Sequence, residues 1–338
     1  MKTKIILCTL VFILNQSFAF AQMADEVDQF NQQMTNVESL NQQDIIDQNE
    51  SGGDTNQSID FEQMNPDELS QQSEIQNSDE LDIAGSVGKT NLQDFVSAQT
   101  KNKGQWASQF IFISRSGQRT VLSSLNANTS IKPASTLKLF TGYLAFVEQS
   151  YPLTDLSSLL HRSDNVMADA ALRSVAIKNG VTSNSKSETL GAGVELMKEF
   201  YKNLEDSSKF HPVNGSGLNT TGVDLGEALN KSTVRNETNL LEKIIKEKNY
   251  DQFKKLLAQP GQYGTLNYHL GSVSKLGHVY AKTGTLAQTK ALAGYVETKN
   301  GVLVFSVIAD QLKISPVNAF SVIEKIVLKH TQAIATLK

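Results

Sequence analysis

Ala281-Lys282-Thr283-Gly284-Thr285-Leu286 orders the reading of this chain, because K-T-G occurs there and nowhere else in the 338 residues. Val279-Tyr280-Ala281 leads into it, so the stretch reads as the end of an edge strand. Two more strands are predicted at about 291–298 and 302–308, with Asn300-Gly301 as the hairpin turn, and an amphipathic helix over 316–330 closes the chain. Upstream, residues 109–113 and 119–123 read as a hairpin with Gly117 in its turn. The order strand, strand, helices, strand, strand, strand, helix implies an α+β architecture, an antiparallel sheet covered by helices.

Two other short strings precede the K-T-G in a fixed order, Ser135-Thr136-Leu137-Lys138 and then Ser163-Asp164-Asn165. Each pattern is weak alone. S-x-x-K recurs from Ser86, Ser183 and Ser272, and S-x-N from Ser39 and Ser124. Pro133 sits just before the first string, and Ser135 or Thr136 is expected to cap a helix running through Leu139, Phe140, Leu144 and Phe146. Residues three apart share a helix face, so Ser135 and Lys138 should meet at its start, where free N–H groups favour negative charge. A second helix is expected after Ser163-Asp164-Asn165, since Met167, Ala170, Ala171, Val175 and Ala176 return at helical spacing.

These residue types suit nucleophilic catalysis. A serine hydroxyl needs a base to take its proton. Lys138 can serve once burial and a neighbouring cation lower its pKa, and Lys282 offers that cation. Ser163 can relay a proton to a departing amine, and Asn165 can hold a substrate backbone. Thr283 and Thr285 present hydroxyls to a carboxylate, with Gly284 between them. The N–H groups of Ser135 and Thr285 are candidate oxyanion donors. Each string also has a plain structural alternative: Ser135 as a cap, Lys138 as a solvated lysine, Ser163-Asp164 as another cap, and Lys282-Thr283-Gly284 as a strand end turning on its glycine.

The rest of the composition narrows the setting. Lys2 and Lys4, the apolar run from Ile5 to Leu14 and Ala19-Phe20-Ala21 form an export signal over residues 1–21, placing the protein in the periplasm or otherwise outside the cell. Its apolar run is about ten residues, too short for a stable membrane span of roughly twenty. The lone Cys8 lies inside that run, so the mature chain has no thiol chemistry. Residues 22–90 are rich in Gln, Asn and acidic side chains, with 16 Asp and Glu before residue 89, and are expected to be disordered. Beyond residue 88 the chain carries 19 acidic and 29 basic residues, so the domain over 91–338 is basic by about +10 behind an acidic segment. The five histidines are isolated from one another, no metal-ligand spacing is present, and no cofactor or nucleic-acid partner is expected.

At its motifs the chain resembles the D-alanyl-D-alanine carboxypeptidases and endopeptidases of the class C penicillin-binding proteins. Pro133-Ala134-Ser135-Thr136 resembles their P-A-S-T lead, Arg162-Ser163-Asp164-Asn165 with Ala168-Asp169 their K/R-S-D-N-x-x-A-D/E segment, Gly215-Ser216-Gly217-Leu218 their G-S-G-L element, and 281–286 their A-K-T-G-[ST]-L strand. The resemblance implies a β-lactamase/transpeptidase-like fold: a five-stranded antiparallel sheet flanked by helices, with a helical subdomain. It implies attack of Ser135 on peptidoglycan stem peptides ending in D-Ala-D-Ala, and covalent inhibition by β-lactams. Two departures stand out. Ser135 and Ser163 are 28 residues apart where the family carries large inserts, and Asn214 replaces an Asp before G-S-G-L. A serine β-lactamase and a non-catalytic wall-binding protein of the same fold are the alternatives; Glu188, Glu195, Glu199 and Glu205 lie between the second and third motifs, and none sits in a loop signature that marks a deacylating base.

Overall fold

β1 (Gln105–Ser114) is apolar and buried along most of its length on both faces, as a central strand requires. It turns through Gly117, held at φ 82°, into β2 (Arg119–Leu125). The computed structural model describes residues 87–218, 220–222 and 226–337. The segment expected to direct export and the acidic segment as far as residue 86 lie outside the described residues. A first helix, α1 (Val87–Thr100), precedes β1; its first four residues fall within the segment expected to be disordered, which corrects that expectation at 87–90.

After β2 the chain leaves the sheet through a 3-10 turn, Ala134–Leu137, and enters α2 (Lys138–Val147). Then come α3 (Leu153–Ser157), a π-helical turn over Ser158–Arg162, α4 (Asn165–Lys178) and α5 (Lys186–Tyr201). A small hairpin, β3 (Thr220–Gly222) with β4 (Gly226–Ala228), leads to α6 (Val234–Ile245), α7 (Tyr250–Lys254) and α8 (Gly271–Ser274). The chain returns as β5 (His278–Leu286), β6 (Thr289–Thr298) and β7 (Gly301–Asp310), and ends in α9 (Pro316–Ala335). The main sheet runs β2-β1-β7-β6-β5, every neighbouring pair antiparallel, with the K-T-G on edge strand β5 as expected. α9 runs past the expected end at His330, because Thr331, Ala333 and Ile334 continue its buried face.

Side chains alternate between the sheet's two faces with the period of two that strands impose. Phe110, Phe112, Leu292, Leu303 and Phe305 pack against Leu92 and Val96 of α1 and Ile323 and Val327 of α9. Ile111, Ala293, Tyr295 and Val304 face the other way, towards a core that includes Leu139, Phe140, Leu172, Leu240 and Leu241. In α2 every residue from Lys138 to Phe146 is buried, the mark of a helix surrounded on all sides. That burial carries Lys138 into the interior. The interval from Ser135 to Ser163 is filled by α2, α3 and the π-helical turn, so no inserted domain separates the two motifs.

Candidate active site

Ser135 does not cap α2, and neither does Thr136; this corrects the expectation from sequence. Both sit in the 3-10 turn, and α2 starts without a side-chain cap. The Thr136 hydroxyl is turned inwards instead, 2.6 Å from the Pro133 carbonyl oxygen and 2.5 Å from Glu237 Oε1. Ala134 is held in the left-handed region at φ 50°, a conformation that persists only where its surroundings enforce it. Two glycines approach this turn closely. A Cβ on Gly217, itself at φ 80°, would lie 1.8 Å from the Ala134 oxygen, and one on Gly284 would lie 2.9 Å from the Pro133 oxygen. The G-S-G turn and the K-T-G strand are thus both seated on the turn that carries Ser135.

The second motif arrives by a different device. The π-helical turn ends at Ser163, also left-handed at φ 69°. Asp164 caps α4, its carboxylate accepting from the Met167 N–H at 2.9 Å, so the plain structural role holds for Asp164 and not for Ser163. Asn165 then begins the helix with its side chain directed at Lys138.

The three strings meet around two buried ammonium groups. Lys138 Nζ donates to Ser135 Oγ at 2.8 Å, Asn165 Oδ1 at 2.6 Å, the Ser216 carbonyl at 3.0 Å and Ser163 Oγ at 3.4 Å. Lys282 Nζ donates to Ser163 Oγ at 2.8 Å and to the Thr283 carbonyl at 2.9 Å. Burial pulls Lys138 down to about 8, with Asp169 and Asp164 opposing the shift. Lys282 is pushed well below the usual lysine value, first by burial and then by the charge of Lys138. The pair therefore holds a second proton poorly. Ser163 and Asn165 are half-buried, and Thr285 is exposed with its hydroxyl accepting from Lys290 Nζ at 3.0 Å. The lysines form a floor, and the threonine lies at the mouth.

Several contributors escaped the sequence. Lys290 and Glu237 carried no motif signal of their own, and the G-S-G-L element marked Ser216 without showing that its carbonyl faces Lys138. Asp169 accepts from the Gly215 N–H at 2.9 Å and fixes the G-S-G turn to α4. Asn214 is buried; its Oδ1 accepts from the N–H groups of Ser216 at 3.1 Å and Gly217 at 2.9 Å, while its Nδ2 donates to the Leu218 carbonyl at 2.7 Å. An amide suits this position because it both donates and accepts. The four glutamates considered for deacylation are engaged elsewhere: Glu188 with Ser183, Glu195 with Lys198, Glu199 with Lys202 and Glu205 with Arg235. Among the described residues no cluster of His, Cys, Asp and Glu could hold a metal ion, and no helix is long and apolar enough to cross a membrane.

Comparison with known proteins gives a consistent assignment. In fold the chain is similar to the TLA-1 extended-spectrum β-lactamase, at 14% identity and TM-score 0.52 over 74% of this chain and 100% of that one. It is similar to a class A β-lactamase from Bacteroides cellulosilyticus at 14% identity and TM-score 0.51, over 73% of this chain and 98% of that one. A PBP-A mutant solved as an acyl-enzyme with penicillin G matches at 15% identity and TM-score 0.51, over 73% of this chain and 97% of that one. No curated protein sequence matches significantly. The model of the D-Ala-D-Ala carboxypeptidase 3 (S13) family matches residues 144–331, more than half of the chain, starting after Ser135 and Lys138. The chain belongs to the D-Ala-D-Ala carboxypeptidase 3 (S13) family and is, with it, a serine-type D-Ala-D-Ala carboxypeptidase.

Proposed function

We propose that Ser135 is the nucleophile and that the substrates are peptidoglycan stem peptides ending in D-Ala-D-Ala. The observation that carries this is the Lys138 Nζ, 2.8 Å from Ser135 Oγ, in a buried cluster that also holds Ser163 and Lys282. The terminal carboxylate of the substrate is held by Lys282 with the Thr283 and Thr285 hydroxyls, and its charge keeps the Lys282 proton in place. Lys138 is then the lysine that gives up its proton and acts as base. As Ser135 Oγ bonds to the penultimate D-Ala carbonyl carbon, its proton passes to Lys138. The carbonyl electrons move onto an oxygen facing the N–H groups of Ser135 and Thr285. When the C–N bond breaks, the proton travels through Ser163 to the departing D-alanine amine. Water then attacks the ester carbonyl, giving a proton to Lys138, and Lys138 passes that proton to Ser135 Oγ as the acyl–oxygen bond breaks, which restores the free enzyme. Asn165 holds the substrate backbone, and Gly284 admits β5 to the nucleophile's turn.

β-Lactams should acylate Ser135 and dwell there. One relative of the same fold was solved as such an adduct, and the engagement of Glu188, Glu195, Glu199 and Glu205 outside the cluster favours slow release. The domain plan that goes with this reading is an export signal at 1–21, an acidic segment at 22–90 and the peptidase domain at 91–338 in an exported protein. The test is labelling with a fluorescent penicillin, comparing the mature protein with Ser135→Ala and locating the adduct by intact mass, followed by D-alanine release from a muropeptide. A stable adduct confined to the wild type is expected. Rapid penicillin turnover would favour a β-lactamase, and no adduct with no hydrolysis would leave a wall-binding protein. Release of D-alanine without cleavage of cross-linked muropeptides would assign carboxypeptidase action alone; cleavage of both would add endopeptidase action.

A further inference from the structure

Directly behind Ser135, one hydroxyl makes two short contacts. Thr136 Oγ1 is 2.6 Å from the Pro133 carbonyl and 2.5 Å from Glu237 Oε1. A hydroxyl has a single proton. If Glu237 were ionised, both neighbours would be acceptors competing for it, and a shared proton does not hold two acceptors at such short range. The proton count closes if Glu237 is neutral. Its O–H then donates to Thr136 Oγ1, Thr136 donates to the Pro133 carbonyl, and the other carboxyl oxygen accepts from Ser306 Oγ at 2.6 Å.

The surroundings agree. Glu237 is fully buried, and its bonded partners are the two hydroxyls. The charged groups on neighbouring elements are committed elsewhere. Lys282 lies in the same sheet row, reached from Ser306 through Ala293, and its ammonium is bonded to Ser163 and Thr283. Lys138 on α2 serves Ser135, Asn165 and Ser216. Asp310 on β7 takes the Thr289 hydroxyl, and Arg119 of β2 pairs with Glu242 of α6. On β1 the next residue of the row is the neutral Gln109, bonded to Thr238. Burial without a counter-charge pushes Glu237 up to about 7.

We propose that Glu237 is a positioning residue working as a neutral carboxylic acid, whose proton locks the Thr136–Pro133 turn that presents Ser135 and seats Gly284. This rests on Ser135 being the nucleophile. The experiment combines infrared spectroscopy with penicillin acylation kinetics. The difference between wild type and Glu237→Gln should show a protonated-carboxyl stretch at mildly acidic pH that gives way to carboxylate as pH rises. Glu237→Gln, which still accepts from Ser306 and donates to Thr136, should acylate at close to the wild-type rate at mildly acidic pH and should not slow at alkaline pH, where the wild type is expected to slow as Glu237 gives up the proton that locks the turn. Glu237→Leu should lose about 10²-fold in acylation rate with little change in the half-saturating penicillin concentration, as expected for a displaced nucleophile. Thr136→Val breaks the same relay and replaces Glu237→Leu if that variant does not fold. A carboxylate at mildly acidic pH, or acylation by Glu237→Gln as slow as by Thr136→Val, would overturn the proposal. A wild type that takes no label sinks the Ser135 reading and the positioning role with it, while the infrared band still reports the proton.

Discussion

Ser163 Oγ accepts from both buried lysines, Lys282 at 2.8 Å and Lys138 at 3.4 Å, so among the described residues it is the hydroxyl common to the two ammonium groups. A group so placed can carry a proton from one side of the cleft to the other. Ser163→Ala should therefore slow penicillin acylation by about 10²-fold, in line with loss of general acid–base assistance. Its melting temperature should stay close to wild type, since Ser163 is half-buried and does not cap α4. Undiminished labelling by Ser163→Ala would remove Ser163 from the proton path.

The pH dependence of acylation should report Lys138. The base works only without its proton, and burial places that loss at about 8. The labelling rate of Glu237→Gln, freed of the carboxyl's own titration, should rise with pH towards about 8 and then level. Lys138→Arg keeps a cation that does not deprotonate and should take no label. A flat profile in Glu237→Gln would argue against lysine as base.

Gly217→Ala asks for two things the backbone cannot supply, a left-handed alanine and room for a Cβ 1.8 Å from the Ala134 oxygen. Loss of about 1–3 kcal/mol of stability is expected in urea titration. Labelling should fall further than stability does, because the displaced atoms belong to the turn holding Ser135. Retained labelling in a destabilised variant would separate the two.

His330 sets an acid limit on stability. Its ring stacks on Phe110 at 3.8 Å and is bonded to Ser123 Oγ and the Ile326 carbonyl, both at 2.7 Å, and burial pulls it down to about 4. The unfolded chain binds this proton near 6.5, the folded chain only near 4. Stability from this group is therefore intact above the unfolded value and lost as pH falls towards the folded one, on the order of 3 kcal/mol in all. Replacement of His330 by Gln should flatten the dependence of the urea midpoint between those two pH values. An unchanged slope would place the acid sensitivity elsewhere.

Asn214→Asp restores the residue type that the motif resemblance implies, yet it should weaken this chain. The Leu218 carbonyl would face a carboxylate in place of the amide donor, leaving Asn230 Nδ2, at 2.6 Å, as the donor that remains. A cost of about 1–3 kcal/mol is expected, read from the urea midpoint. Acylation should slow as well, because the turn supplies the Ser216 carbonyl to Lys138. A stabilised variant would show that the carboxylate is accommodated after all.

The parts legible in the sequence were those written locally. Asn300-Gly301 announces its hairpin, the β5 run into Lys282-Thr283-Gly284 announces its strand, and Asp164 announces its helix. The three strings also named the residues that converge on Lys138 and Lys282. What stayed hidden depends on distant partners. Thr136 is drawn off capping by Glu237, 101 residues away, and by Pro133. The Ser216 carbonyl reaches Lys138 through backbone alone, which leaves no side-chain signature. One signal was available: Glu237 shares a helical face with Leu240, Leu241 and Ile244, and a carboxyl on an apolar stripe marks a buried polar contact.

Lys282 reaches Ser163 only if the chain from β5 onward has returned to lay β5 beside β6, and Gly284 meets Pro133 only then. A chain halted before β5 could form α2 and α4 but would lack Lys282 and the strand that seats the nucleophile's turn. Penicillin labelling is thus a gauge of completed assembly. During refolding the label should appear together with the final tertiary signal, and a truncation ahead of β5 should be silent however much helix it retains.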